Sequence, residues 1–347
     1  MGLGLPTVGA SVSAYWSERR VLVTGATGIV GSWLCEELVR LDAAVVALVR
    51  DDDPQSMFYS GGVLPHVTVV RGALQNLEDC TRAIIANDIE VVFHLGAQTL
   101  VGPAVRDPLE TFESNIRGTY NLLEAARRAP DLVKAFVVAS SDKAYGDSAI
   151  LPYTEEMPLN GRHPYDVSKS CTDLLASTYH DTYETPVAIA RCGNIYGAGD
   201  LNWSRIVPGT IRSLLRGEQP ILRSNGSNIR DYIYVRDVVS AYLTLAEQIV
   251  RPEIAGEAFN FSPESRITVL EIVQAITRLM DTSIEPIVLG TAAHEIQDQT
   301  LSAAKARRLL DWQARWTLEA GLSETIAWYR HHLATKAGIS RALHAGG

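Results

Sequence analysis

Residues 21–31 read VLVTGATGIVG. The apolar run Val21–Thr24 ends on Gly25, and Gly28 and Gly31 follow at three-residue spacing as a helical pattern opens near Gly31–Leu41. Glycine lets a backbone turn tightly and approach an anionic group closely. A helix starting there presents unpaired N–H groups at the positive end of its dipole. Strand, glycine turn and helix in this order predict a cradle for the pyrophosphate of a dinucleotide, with a plain structural turn as the competing reading.

Outward from this loop, short apolar runs alternate with helical patterns. Strands are expected at Val21–Thr24, Ala44–Val49, Val67–Val70, Val91–Leu95, Ala135–Ala139 and Val187–Ala190, and helices near Gly31–Leu41, Leu77–Asn87, Pro108–Arg128 and Tyr165–Tyr183. The runs are rich in Val, Ile and Ala with little polar alternation, as in parallel strands covered on both faces. The alternation predicts an α/β fold, a doubly wound parallel Rossmann sheet. Beyond Gly193 the pattern breaks up, which predicts a dinucleotide-binding domain over 1–192 and a smaller, mixed α/β substrate-binding region over 193–347. A helix near Val235–Glu247 is expected to return to the first domain.

The formal net charge of -9 argues against a nucleic-acid partner, which needs clustered Lys and Arg. Anionic ligands must then be met by helix N-termini and single arginines. No CxxC pair occurs among Cys35, Cys80, Cys171 and Cys192. Cys35 and Cys171 fall on apolar helical positions and are expected to be buried free thiols in a reducing, cytoplasmic setting. The first residues carry no signal-peptide pattern, no apolar run suits a membrane span, and no His/Cys/carboxylate cluster has metal-ligand spacing.

The stretch YDVSK (165–169) places Tyr165 and Lys169 one turn apart on one helix face. A nearby ammonium lowers a phenol's pKa, so such a tyrosine can take a hydroxyl proton while hydride leaves the same carbon. By itself the spacing fits an ordinary amphipathic helix. The stretch SSDKAYG (140–146) follows the strand Ala135–Ala139 and so falls at the carboxyl edge of the sheet, where ligands bind in such folds. Ser141 can hydrogen-bond a reacting hydroxyl, and Asp142 and Lys143 add an acid/base pair. A capped polar junction is the bland alternative. His94, at the end of its strand, reads as a packed, hydrogen-bonded histidine.

Together with HLGAQ (94–98), NIRGTYN (115–121), RCGNIYG (191–197) and RDYIYVRD (230–237), these elements resemble, over nearly the whole chain, the extended short-chain dehydrogenase/reductase family of nucleotide-sugar epimerases and dehydratases. The resemblance implies that Tyr165 accepts the proton, Lys169 holds the nicotinamide ribose and Ser141 orients the sugar hydroxyl. It places Gly25, Thr27, Gly28, Ile29, Gly31, Arg50, Leu95, Ala97 and Asn115 along the cofactor. After the apolar run Ala44–Val49 come Arg50, which could pair the extra phosphate of NADP, and Asp51, Asp52 and Asp53, of a type that bonds the adenosine ribose, so these residues do not settle the two; NAD is the expected cofactor, with NADP not excluded. One departure is Ala73, which stands where the family carries an acid that touches the adenine.

The Ser-Asp-Lys triplet and residues 199–208 (GDLNWSRIVP) resemble the CDP-glucose 4,6-dehydratases. Most sugar 4,6-dehydratases carry Glu where this chain carries Lys143. The implied reaction is transient C4 oxidation, loss of water across C5 and C6 with Asp142 as the acid and Lys143 as the candidate base, and formation of a 4-keto-6-deoxy sugar. Asn194, Asn202, Ser204, Arg205 and Arg230 are the implied nucleotide-sugar contacts, with a surface pair to Asp231 as the alternative for Arg230. A 4-epimerase or decarboxylase on the same scaffold is the nearest rival, and a non-catalytic dinucleotide sensor a more distant one. A homodimer is implied by the family. It would use the helix after Pro108 and a face of Val167, Cys171, Leu174, Leu175 and Thr178, which could instead pack on the chain's own sheet.

Overall fold

β1 (Arg20–Thr24), β2 (Ala44–Val49), β3 (Val67–Arg71), β4 (Val91–His94), β5 (Ala135–Ala139) and β6 (Val187–Cys192) form parallel pairs in a computed structural model that describes residues 14–291 and 296–345. β7 (Ala258–Phe261) extends this sheet beside β6, and the strand order is β7-β6-β5-β4-β1-β2-β3. Chain order therefore reverses between β1 and β4, the switch point where doubly wound sheets bind ligands.

The strands form where β-branched and small apolar residues run without interruption. Alternate residues then face opposite sides of the sheet. Leu22, Val46, Leu48, Val92, Phe136, Val138 and Ile189 join one core with Cys80, Ala83, Ile84, Leu122 and Leu123. Those last five come from α2 (Leu77–Ile85) and α3 (Gly118–Arg127), two of the helices that follow α1 (Ile29–Arg40). Each fully buried Leu, Ile or Phe contributes about 1.5–3 kcal/mol. β3 departs from the expected double coverage. It is an edge strand with no fully buried residue: Val67, Val69 and Val70 are half-buried and Thr68 and Arg71 exposed.

The chain divides into two compact units. The first holds the chain up to Tyr145, Leu159–Arg191 and Val239–Phe259; the second holds Gly146–Pro158, Cys192–Val238 and the chain from Asn260 onward. In the first unit the stretch expected as one helix from Pro108 is interrupted by a π-helical turn, Glu113–Arg117, before α3. α4 (Pro164–Tyr183) begins with Pro at its first position and ends on Glu184 in the left-handed region. On it, Cys171 is only half-buried, contrary to the expectation from its spacing, while Cys35 is fully buried. Leu175 packs against the chain's own core, and Leu174 stands 60% exposed. Trp16 is fully buried and donates to Glu247 Oε1 (2.6 Å) on the helix Val235–Gln248.

The second unit is built from fragments too short to announce themselves by periodicity. Asn194–Tyr196 pairs in parallel with Tyr232–Tyr234, and Ile229–Arg230 sits between Ile267–Thr268 and Asp298–Gln299. Its helices include Ile206–Leu215 and Val269–Leu279, the latter opened by a Thr268–Glu271 capping box. Among the described residues, no helix is long and apolar enough to cross a membrane.

Candidate active site

The glycine loop runs from β1 into α1 as its composition dictates. Gly25 has φ +72°, and a Cβ there would lie 2.8 Å from the Gly96 nitrogen. At Gly31 a Cβ would lie 2.1 Å from the Gly25 carbonyl oxygen. Gly28 differs, because its nearest obstacle is the same oxygen at 3.3 Å, and it caps α1 without any side-chain hydrogen bond. Gly25 and Gly31 are thus required by the loop's own packing. Gly28 keeps the helix N-terminus open to a ligand, and Thr27 and Ile29 flank it. Gly31→Ala forces backbone against backbone and is expected to cost about 1–3 kcal/mol, read as a lowered midpoint in thermal unfolding. An unchanged midpoint would show that the loop relaxes around the methyl.

At the end of β2, Arg50 pairs with Asp51 (2.6 Å) and Asp52 with Arg71 (2.6 Å), all well exposed. Hydrogen bonds from Tyr59 and Arg71 hold the Asp52 carboxyl below its ordinary pKa. At Ala73 the backbone N–H is taken by Asp79 Oδ2 (3.0 Å).

A buried chain of hydrogen bonds sets the geometry at the switch point. Thr24 Oγ1 accepts from the backbone N–H groups of Leu95 (3.1 Å) and Gly96 (3.0 Å), so its proton goes to His94 Nδ1 (3.0 Å). His94 Nε2–H then donates to Thr119 Oγ1 (3.0 Å), which donates to the Asn115 carbonyl (2.5 Å). The Asn115 side chain accepts from Gln98 N–H (2.7 Å) and donates to the Gln98 carbonyl (2.9 Å) and Ser168 Oγ (2.9 Å). Asn115 therefore braces the Leu95–Gln98 segment, including Ala97, against α4, and its side chain is committed within the protein.

Burial, helped by the charge of Lys169, lowers the His94 pKa to about 3. The sign follows directly. The unfolded imidazole titrates near about 6.5, so a neutral buried His94 adds stability above that pH, lost as pH falls toward the folded value. Folding stability is expected to decline from about pH 6.5 downward by about 1.4 kcal/mol per pH unit from this group. Denaturant titrations of the protein and of His94→Gln check it. The variant should be less stable at neutral pH and show a flatter acid limb; parallel limbs would remove His94 as the cause.

Past β5 the chain makes a 3-10 turn, Asp142–Tyr145, that packs on α4, with Ser170 Oγ donating to the Ala144 carbonyl (3.0 Å). Ser141 Oγ donates to Asp142 Oδ1 (3.0 Å) and accepts from Lys143 N–H (3.2 Å). The Asp142 side chain is 2% exposed; its Oδ2 accepts no hydrogen bond among the described residues and lies 3.7 Å from Lys143 Nζ. Asp166, buried in the first turn of α4, has its carboxyl pKa raised by burial and opposed by Lys143 and His163. Tyr165 is half-buried at the start of the helix. One turn on, Lys169 is buried and donates to the Ala139 carbonyl (2.8 Å). Burial lowers its pKa to about 8 against the opposing pull of Asp173. Sequence reasoning brought Ser141, Asp142, Lys143, Tyr165 and Lys169 to one region. It missed Asp173, whose signal was its place four residues after Lys169, and Arg191, visible only as the first residue of RCGNIYG.

In the second unit, Asn202 Oδ1 accepts from Ser204 Oγ (2.7 Å), and Arg205 pairs with the buried Asp200 (3.0 Å). Arg205 is also the N-cap residue of Ile206–Leu215, which has no side-chain cap. Asn194 and Arg230 stand on separate strands. Asn194 Nδ2 is buried with no hydrogen-bond partner among the described residues. Arg230 donates to the Ile229 carbonyl (2.8 Å), and the neighbouring Asp231 instead accepts from Ser262 Oγ and Leu301 N–H.

This glycine loop on the first strand, with a Tyr/Lys helix beside a Ser-Asp-Lys turn, is the layout of a dinucleotide-dependent enzyme. Residues 21–260 match the model of the NAD dependent epimerase/dehydratase family, and the chain belongs to that family. It is 31% identical to a CDP-glucose 4,6-dehydratase of Salmonella typhimurium, over 91% of this chain and 92% of that one. Among solved structures, it is similar to a dTDP-glucose 4,6-dehydratase of Bacillus anthracis in complex with NAD, at TM-score 0.78 and 26% identity over 90% of this chain and 97% of the other. It is also similar to a UDP-glucose 4-epimerase of Thermotoga maritima, at TM-score 0.81 and 26% identity over 90% and 99%.

Proposed function

We propose that this protein is a nucleotide-sugar 4,6-dehydratase of the CDP-glucose type. The observation that carries this reading is Asp142. Its carboxylate is buried, one oxygen accepts no hydrogen bond among the described residues, and its counter-ion is Lys143 at 3.7 Å. A 4-epimerase needs a proton acceptor at O4 but no acid for a leaving hydroxyl. The 31% identity to the Salmonella enzyme over nearly the full chain points the same way.

NAD fits the first unit. The Gly25–Gly31 loop leaves the α1 N-terminus uncapped, and Gly28 presents no side chain. When bound, NAD would take hydride from C4 of the sugar and return it at C6. The Lys169 ammonium stabilises Tyr165 as the phenolate, which accepts the O4 proton and becomes the phenol, and Lys169 also holds the nicotinamide ribose. Ser141 orients the sugar hydroxyl. In the second unit Arg205, at an open helix N-terminus, and Arg230 suit the diphosphate, with Asn194, Asn202 and Ser204 as polar contacts. Gly28→Ala is expected to leave thermal stability nearly unchanged while weakening NAD binding at least about tenfold, measured by calorimetry on NAD-depleted protein, because the methyl would project where the pyrophosphate approaches. Wild-type affinity would move the pyrophosphate elsewhere.

A homodimer suits the exposed apolar residues Leu174, Leu109 and Val105, and the four free cysteines suit a reducing, cytoplasmic setting. The similarity to a UDP-glucose 4-epimerase keeps epimerisation as the second reading. Incubation with CDP-, GDP-, UDP- and dTDP-glucose in the presence of NAD, followed by mass analysis, separates the two. Loss of one water from the CDP sugar is the expected result. Unchanged mass with inverted ring stereochemistry would establish the epimerase instead.

A further inference from the structure

Beneath the Tyr165/Lys169 face, α4 carries another charged residue one turn farther along. Asp173 is buried and accepts from Ser140 Oγ, the residue before Ser141, and from Arg191 Nε (2.8 Å) on β6. Arg191 in turn donates to Tyr145 Oη (2.8 Å), in the turn that holds Asp142 and Lys143. Lys169 Nζ, four residues before Asp173, makes its hydrogen bond to a neutral carbonyl. Lys169 needs an anion nearby to remain a cation once water is excluded, and Asp173 lies on its helix face.

We infer that the buried Asp173–Arg191 pair acts as a positioning device that sets the charge state of Lys169. Asp173 supplies the anion that keeps the ammonium charged, and Arg191 limits how much of that anion Lys169 feels. This rests on the reading of Tyr165 and Lys169 as the proton-transfer pair. His94 on β4, held neutral by burial, also feels the Lys169 charge; Tyr165 is one turn away on the same helix, Tyr145 accepts from Arg191, and Asp142 and Lys143 interact with Asp166 in the first turn of α4. Burial works against both members of the pair, yet Asp173 and Tyr145 leave Arg191 above its usual pKa. Burial lowers the Lys169 pKa to about 8 and Asp173 opposes that fall, leaving Lys169 cationic at neutral pH and able to lose its proton just above it. With Asp173 alone as neighbour, it would stay protonated to higher pH.

The two halves of the pair then have opposite effects, which a purely structural ion pair would not have. The chain has five lysines, at 134, 143, 169, 305 and 336, so the ε-carbon signal of Lys169 can be followed by NMR in isotope-labelled whole protein and assigned by its loss in Lys169→Arg. Asp173→Asn should move the Lys169 titration down by about one pH unit or more, and Arg191→Met should move it up by a similar amount. Arg191→Lys should hold it near wild type, and the double variant Asp173→Asn/Arg191→Met should return toward wild type. Same-direction shifts in the two single variants, or none in folded protein, overturn the inference. If Asp173→Asn fails to fold, the contrast between Arg191→Met and Arg191→Lys decides. No sugar substrate is involved, so the titration answers independently of whether the dehydratase reading survives.

Discussion

Tyr165→Phe is expected to reduce product formation by about 10²–10⁴-fold, the range over which a positioned proton acceptor contributes. The substitution removes one oxygen from a half-buried side chain at the start of α4, where Pro164 and the packed face of the helix fix the backbone independently of the hydroxyl. Thermal unfolding and NAD affinity should therefore stay close to wild type, and the loss should fall on kcat. The pH profile should carry the signature of Lys169, whose burial lowers its pKa to about 8. Below that value the ammonium favours the phenolate; as pH rises through it, that support fades and the wild-type rate should fall. Mass-detected product formation from the accepted nucleotide sugar, measured across pH, checks both points. A variant retaining about a tenth of wild-type turnover would take Tyr165 out of the proton transfer.

Where sequence and structure agree, the reason is local. β2 and β5 lie where their Val- and Ala-rich runs placed them, and the glycine spacing located the loop, because these features are decided within a few residues. What escaped is set by distant partners. The half-exposure of β3 follows from its place at the sheet edge, which its own residues do not encode. Cys171 sits at an apolar-looking helical position, but its exposure depends on what packs over α4. The second unit rests on two-residue strands such as Ile229–Arg230 and Asp298–Gln299, too short to show a period. The Asp173–Arg191 pair joins a helix to a strand 18 residues away. Both residues lay in recognised stretches, yet only three-dimensional packing brings the two charges together.

Asp142→Asn should separate sugar oxidation from dehydration. Asp142 and Lys143 form an ion pair at 3.7 Å with the carboxylate buried. A proton passed from Lys143 to Asp142 within this pair would give a carboxylic acid and an amine. That arrangement suits the elimination. In the proposed elimination the Lys143 amine would take the C5 proton, acidified by the C4 ketone, while the Asp142 acid would protonate the departing 6-hydroxyl as water. The resulting ammonium would return a proton to C5 as the 6-deoxy product forms; Asp142 would recover its proton from solvent, and Tyr165 would release the one taken from O4. Asn keeps the shape but has no proton to give, so water loss should fall by about 10²–10⁴-fold, while removal of the O4 proton by Tyr165 continues. The expected result is a 4-keto sugar of unreduced oxygen count, trapped by borodeuteride as C4 epimers carrying deuterium at C4. Lys143→Met should give the same accumulation by blocking proton removal at C5. If Asp142→Asn still releases water at the wild-type rate, the acid lies elsewhere. If neither variant accumulates a keto sugar although both keep NAD, Asp142 and Lys143 act before oxidation, as substrate-positioning groups, and the case for epimerisation strengthens.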